Sequence, residues 1–159
     1  MVDEKDDGAW RKELLALLKK AGVPDPEKTA EEFDLYDIDE GVRVSREVAK
    51  RVRDRVDAYA KLFEDLLQPD ANLAAMNECS FFNDEAHDAI AKTYRDLMAI
   101  VRKYAVADLQ ATDDAYLGFA AAAVKDWNGH KKFLDFVAKR LVEGWSEIQT
   151  LHGEKGYFG

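Results

Sequence analysis

A histidine, a cysteine and nearby carboxylates are the residues of this chain that could carry out chemistry. Asp84 and His87 lie three residues apart at the start of a predicted helix, and Asp88 follows the histidine. This spacing places a carboxylate and an imidazole on one helix face. The positive end of the helix dipole there disfavours a protonated imidazole. A neutral imidazole can bind a metal or act as a base. The single cysteine, Cys79, lies in an apolar stretch, as a small buried hydrophobe does. We therefore interpret 84–88 as a polar first turn and Cys79 as a core residue.

The sequence contains none of the motifs that have a well-understood catalytic mechanism. It has no glycine-rich phosphate loop, no G-x-S-x-G and no H-E-x-x-H. None of the three histidines, His87, His130 and His152, stands three residues after a glutamate, as di-iron bundles require. The absence of these motifs therefore argues against enzymatic activity. A metal-dependent enzyme that uses scattered carboxylates is the least favoured alternative.

Residues 32–47 resemble a degenerate EF-hand loop. Asp37 and Asp39 alternate, Gly41 follows, and Glu47 comes six residues after that glycine. An EF-hand binds calcium from six positions of a twelve-residue loop, with glycine at the sixth. The resemblance implies calcium as the one cofactor candidate, with Asp37, Asp39 and Glu47 as its ligands. The segment from Asp37 to Glu47 has eleven residues, however, which favours a plain helix–turn–helix corner without a cofactor.

The charge changes sign near residue 41, within a chain of 159 residues whose net charge is −9 at pH 7. Segment 25–40 is strongly acidic, and a basic face follows it, made of Arg43, Arg46, Lys50 and Arg53. Intramolecular ion pairs are the simple interpretation; the alternative is that segment 25–40 masks this basic face from a ligand. The negative total argues against nucleic acid and anionic membranes, and it fits a partner protein with a basic surface.

Apolar residues recur at helical spacing through the chain and predict an all-α fold. We expect a bundle of four principal helices over 45–68, 84–109, 113–127 and 130–151, with Asn128-Gly129 as the last turn. Two short N-terminal helices, at 9–20 and from Pro26 to about Tyr36, and a short connecting helix at 71–79 complete it. A globin-like arrangement is the alternative.

The domain prediction is a disordered N-terminus at 1–8, a single helical domain at 9–152 and a flexible tail at 153–159. With no apolar run long enough to span a membrane and no hydrophobic leader, we expect a soluble cytoplasmic protein.

These observations favour a non-enzymatic acidic bundle that acts by protein–protein binding, as an inhibitor, an immunity-type protein, an adaptor or an assembly subunit. Homo-oligomerisation stays open. The alternative is a sensor or small-ligand bundle with an aromatic pocket. The candidate pocket residues are Tyr94, Tyr104, Phe119, Trp127, Phe133 and Trp145.

Overall fold

The computed structural model describes residues 6–39, 41–70 and 72–154, and the side chains of 7–39, 41–70 and 72–148. Its α-helices are α1 (Asp6–Lys20), α2 (Pro26–Glu32), α3 (Val44–Leu67), α4 (Leu73–Cys79), α5 (Asp84–Gln110) and α6 (Asp113–Glu154), and a short 3₁₀ turn covers Leu35–Asp37. These described residues contain no strand. The all-α prediction is confirmed.

Capping side chains stand at the start of three helices. Side-chain oxygens of Asp25, Asn83 and Thr112 accept a hydrogen bond from the backbone N–H three residues further on, at 3.5, 2.8 and 3.1 Å. Each bond satisfies a donor that the first helical turn leaves without a partner. The starts of α2, α5 and α6 are therefore set by local sequence.

The predicted division of the C-terminal region into two helices is wrong, because α6 runs through Asn128-Gly129 as one helix of 42 residues. Glycine inside a helix costs about 1 kcal/mol relative to alanine. Trp127 lies just before this position, and Leu134 and Val137 follow it, all buried. Burying each such side chain contributes about 1.5–3 kcal/mol, which outweighs the weak local stop signal. The described part of the chain therefore contains three long helices instead of the four predicted.

The second N-terminal helix is shorter than predicted. It ends at Glu32, and Asp34 adopts a left-handed conformation with φ of 54° before the 3₁₀ turn that contains Tyr36. Aspartate tolerates this conformation better than most residues do. The turn lets both Phe33 and Leu35 be buried, which a continuing helix would place on different faces.

At the two ends of the chain, helices extend into segments predicted to be irregular. Helix α1 begins at Asp6 and α6 reaches Glu154. The remainder of the predicted disordered N-terminus, 1–5, and of the predicted flexible tail, 155–159, lies outside the described residues. The single domain over 9–152 and the globin-like alternative stay predictions.

The chain forms two compact units, and each takes part of α3, α5 and α6. Unit 1 comprises residues 1–59 and 97–128, and unit 2 comprises 60–96 and 129–159. The large core side chains of unit 1 are Leu14, Leu18, Val23, Phe33, Leu35, Ile38, Val48, Val52, Val56, Leu97, Ile100, Tyr104, Tyr116, Phe119, Val124 and Trp127. Those of unit 2 are Phe63, Leu66, Phe82, Ile90, Leu134 and Val137.

Candidate functional site

A network of polar contacts at the start of α3 holds the corner where α5 turns into α6. Ala111 makes this turn in a left-handed conformation with φ of 56°. Arg43 donates from one terminal nitrogen to the Ala111 carbonyl at 2.8 Å and from Nε to Asp113 Oδ1 at 3.0 Å. The Ser45 hydroxyl donates to the same Asp113 oxygen at 2.5 Å. The first turn of α3 therefore fixes the first turn of α6.

The same corner ties down the last turns of α5. The Tyr116 hydroxyl donates to Asp108 Oδ1 at 2.7 Å, and Arg46 Nε lies 3.5 Å from that oxygen. The hydrogen bond to Asp108 raises the pKa of Tyr116, because only the protonated phenol can donate it. At Asp113 the hydrogen bond from Ser45, followed by that from Arg43, lowers the pKa of the carboxyl.

The basic face predicted from the sequence is therefore mostly engaged within unit 1. Arg43 and Arg46 have aspartate partners on α6 and α5, beyond the acidic segment 25–40. Arg53 pairs with Asp54 at 2.5 Å, and its guanidinium lies 4.5 Å from the centre of the Tyr104 ring. Lys50 is exposed. The simple interpretation of intramolecular ion pairs thus has support, with partners that sequence proximity did not indicate.

An apolar groove of about 250 Å³ runs between α5 and α6 in unit 1. Phe119 and Ala123, both buried, belong to its lining, and the small side chains of Ala115 and Ala122 widen it. Lys103 Nζ lies 4.0 Å from Asp126 Oδ2 across one end of the groove. The complete lining is Ile100, Lys103, Val106, Ala107, Gln110, Ala115, Phe119, Ala122, Ala123 and Asp126.

Large aliphatic side chains lie on the α5 side of this groove and are open to water. Val106 lines the groove and keeps 57% of its surface exposed, and Leu109 keeps 88%. They are three residues apart, so they lie on neighbouring turns of one side of α5. An apolar groove with an exposed aliphatic edge is the kind of surface that binds a partner helix.

A second cavity, of about 400 Å³, lies between α1 and the start of α6. Leu17 and Leu117 provide apolar walls, and Lys20 and Asp114 provide charge. The complete lining is Leu17, Lys20, Ala21, Asp113, Asp114, Leu117 and Gly118.

The six aromatic residues predicted to line one pocket belong to different units. Tyr104, Phe119 and Trp127 are in unit 1, and Tyr94, Phe133 and Trp145 are in unit 2. Of these, Phe119 lines the groove described above. Phe133 packs edge-on against Phe63 with ring centres 6.1 Å apart, as aromatic core residues do. Tyr104, Phe119 and Trp127 are buried, whereas Tyr94, Phe133 and Trp145 are half-buried.

Both tryptophans of this set use their indole N–H in the same way. Trp127 donates to Glu32 Oε1 at 2.8 Å, and Trp145 donates to Glu78 Oε1 at 2.9 Å. A buried indole needs such an acceptor, and each glutamate comes from a short helix, α2 or α4.

At the corner where calcium ligands were predicted, an arginine side chain contacts the backbone and one of the predicted ligands. Arg51 donates to the carbonyl oxygens of Asp34 and Asp37, the second at 3.4 Å, and its Nε lies 3.4 Å from Glu47 Oε1. Asp39 is exposed. Within the described ranges no three His, Cys, Asp or Glu side chains group closely enough to hold a metal ion. Whether Asp37, Asp39 and Glu47 bind calcium stays a prediction.

His87 and Cys79 lie close together, and their contact has a structural role. His87 Nε2 lies 2.9 Å from the backbone carbonyl oxygen of Cys79 and 3.9 Å from its Sγ. A carbonyl oxygen only accepts, so Nε2 carries the proton and cannot take one from the thiol. The histidine therefore satisfies a carbonyl at the end of α4. Cys79 itself is half-buried, less than the predicted core position.

Comparisons with protein-family models, with curated proteins and with solved structures found no match to this chain. Across the described residues, no helix has both the length and the hydropathy needed to cross a membrane.

The groove was not among the sites predicted from the sequence, although two signals for it were present. Val106 and Leu109 fall outside the apolar stripe of α5 that contains Ile90, Leu97 and Tyr104. The alanine run at 120–123 permits close helix approach. Neither signal reveals which helix pairs with which, and a groove exists only once that pairing is known.

Proposed function

We propose that this protein acts by binding another protein and that the groove between α5 and α6 is the binding surface. The observation that carries the proposal is an apolar groove whose lining residue Val106 is exposed to water, with the exposed Leu109 one turn further along α5. Leaving such side chains exposed forgoes roughly 25 cal/mol per Å² of apolar area, which a partner recovers on binding. The polar corner at Asp108 and Asp113 keeps the two helices in place without a partner, so the surface is preformed.

The groove suits an amphipathic helix as its ligand. Both walls are helices, and Ala115 and Ala122 leave room for a third backbone to come close. A helical ligand would present apolar residues at three- and four-residue intervals to Phe119, Ala123 and Ile100. The net charge of −9 favours a partner whose remaining surface is basic, because long-range attraction raises the rate of association.

A pair of alanine-to-glutamate variants tests the proposal. Ala122 lies in the groove and Ala138 lies on α6 in unit 2, and both are exposed helical positions. Ala122→Glu puts a charge into the apolar groove, so it should abolish recovery of the partner in affinity capture from the host cell. Ala138→Glu should leave recovery unchanged. Equal recovery with both variants, each shown by circular dichroism to be folded, would contradict the proposal.

The cavity between α1 and α6 supports a second candidate function, the binding of a small ligand. Its volume of about 400 Å³ lies within the usual range of ligand sites, and it combines Leu17 and Leu117 with the charges of Lys20 and Asp114. Such a ligand would be amphipathic, with a charged end. Ala21→Trp would fill the cavity and remove any thermal stabilisation that a ligand library produces with the unmodified chain. Stabilisation that survives the filling would argue against this site.

A further inference from the structure

The cavity between α1 and the start of α6 has apolar walls from both sides. Leu17 lies in the last turn of α1 and Ala21 follows that helix, while Leu117 and Gly118 lie in the first turns of α6. A Cβ at Gly118 would meet no atom within 4 Å, so the missing side chain leaves open space there. All of these residues belong to unit 1. The volume of about 400 Å³ can therefore take up the apolar part of a small molecule.

Three charged side chains line the same cavity. Asp113 and Asp114 lie in the first turn of α6, and Lys20 is the last residue of α1. All three are exposed, so each can meet a ligand that enters from solvent. Two carboxylates stand against one ammonium, which gives the lining a net charge of −1.

The two carboxylates differ in what they already bind. The Ser45 hydroxyl and Arg43 Nε both donate to Asp113 Oδ1, which holds that side chain in place. Asp114 has no hydrogen-bond or ion-pair partner within the described ranges. A carboxylate accepts hydrogen bonds through both of its oxygens. Asp114 is therefore the lining residue that is ready to accept them from a ligand.

Lys20 does not neutralise this carboxylate. Among the described residues, no ion pair joins Lys20 to Asp113 or Asp114. Lys20 lies in the last turn of α1, where the partial negative charge of the helix end favours a cation. The start of α6 carries the opposite partial charge, so the two helix ends offset each other. The side chains then decide the preferred ligand charge, and the carboxylates outnumber the ammonium.

We propose that this cavity binds a small amphipathic organic cation, with its ammonium or guanidinium group at Asp114 and its apolar part against Leu17 and Leu117. This inference rests on the second candidate function, because it names the ligand class for the same cavity. Charge-assisted hydrogen bonds to the carboxylate orient the ligand, and burial of its apolar part adds affinity. The net charge of −9 attracts such a cation at long range.

Titrations with hexylamine and hexanoate, followed by two-dimensional amide NMR spectra, test the sign of the ligand charge. The two probes have apolar chains of similar length and opposite charges at neutral pH. Hexylamine should shift the amide signals of Leu117 and Gly118 and bind at least tenfold more tightly than hexanoate, because only the amine can donate to Asp114. Equal affinities, tighter binding of hexanoate or no shift with millimolar hexylamine would overturn the proposal.

Asp114→Asn and Asp88→Asn separate a local contact from the overall charge of the chain. Asp88 lies on α5 in unit 2, and both aspartates are exposed. Each variant removes one negative charge, but only Asp114→Asn should weaken hexylamine binding, by at least fivefold. Lys20→Gln removes the opposing ammonium and should tighten binding. Equal effects of the two aspartate variants, or weaker binding to Lys20→Gln, would contradict the assigned position of the cation.

The outcomes distinguish this inference from the functions proposed above. If Ala21→Trp removes stabilisation by a library ligand while hexylamine and hexanoate bind alike, the cavity is a ligand site and its preference for cations is wrong. If stabilisation by every ligand survives Ala21→Trp, the second candidate function fails together with this inference. The groove shares no lining residue with the cavity, so the capture experiment with Ala122→Glu tests it independently.

Discussion

Two tryptophans on α6 make the same hydrogen bond in the two units. Trp127 donates to Glu32 in unit 1, and Trp145 donates to Glu78 in unit 2. They lie 18 residues apart in the sequence of α6. In both units a short helix is tied to the same long helix by an indole and a carboxylate.

The two contacts differ in how completely the ring is enclosed. Trp127 is 2% exposed and meets the rings of both Phe33 and Tyr59 edge-on, whereas Trp145 is half-buried and meets Phe81. The same hydrogen bond therefore contributes to a dense core in one unit and to a partly open contact in the other. Burial, more than the bond itself, decides the energetic weight of such a residue.

Replacing each tryptophan by alanine gives the largest expected effect. Trp127→Ala should lower the free energy of unfolding by about 3–5 kcal/mol, because it removes a fully enclosed side chain. Trp145→Ala should cost about 1–2 kcal/mol, since its ring already keeps part of its contact with water. Urea denaturation followed by circular dichroism measures both. Equal losses would show that the difference in enclosure has no energetic consequence.

Two glycines of α6 provide the next contrast. A Cβ at Gly144 in unit 2 would overlap the ring of Phe81, whereas a Cβ at Gly118 in unit 1 would meet nothing. Phe81 cannot move freely, because Trp145 and Arg140 contact its ring.

Gly144→Ala should therefore destabilise the protein by about 1–3 kcal/mol, and Gly118→Ala should stabilise it by up to about 1 kcal/mol. Thermal unfolding of the two variants gives the signs. A stabilised Gly144→Ala variant would mean that the ring of Phe81 can move aside without a loss of folding free energy.

Gly129→Ala tests whether α6 is continuous at the boundary between the residues of the two units. A helical Gly129 with open space around its Cβ position should gain about 0.5–1 kcal/mol from alanine. If the chain instead turned here in a left-handed conformation, as the dipeptide Asn128-Gly129 suggests, alanine would destabilise it. The sign of the change in melting temperature separates the two cases.

The smallest effect concerns acid stability and the polar corner of unit 1. The pKa of Asp113 is lowered in the folded state. The ionised carboxylate therefore stabilises the fold at pH values above the ordinary carboxyl pKa, and this stabilisation is lost as the pH falls through the pKa of the folded state. Asp113→Asn should therefore flatten the loss of stability below about pH 4. Asp114→Asn, at the neighbouring exposed carboxylate, should change the pH dependence of stability in this acidic range less. Melting temperatures of both variants across this pH range test the prediction. The same loss of melting temperature in acid for both variants would contradict it.

The parts of the fold that depend on local spacing could be predicted from sequence. Val48, Val52 and Val56 follow one stripe and are all buried, and the helices predicted to begin near residues 84 and 113 start at Asp84 and Asp113. These features depend on residues within one or two turns of each other. Sequence periodicity reports such short-range relations directly.

The remaining features depend on residues that lie far apart in sequence. Gly129 stays helical because burial on both sides outweighs its local preference. Arg43 pairs with Asp113, 70 residues away, where charge order along the chain suggested segment 25–40. The groove likewise requires the pairing of α5 with α6, which neither helix specifies alone.

The guanidinium of Arg51 places a positive charge next to the backbone carbonyl oxygens of the turn after α2. An arginine stays charged at every pH at which proteins fold, and being covalently attached it can be neither chelated nor exchanged. The carbonyl oxygens of Asp34 and Asp37 therefore keep their positive neighbour whatever the salt composition of the surroundings. The turn that resembles a calcium loop in sequence therefore carries a positive charge that the chain itself supplies.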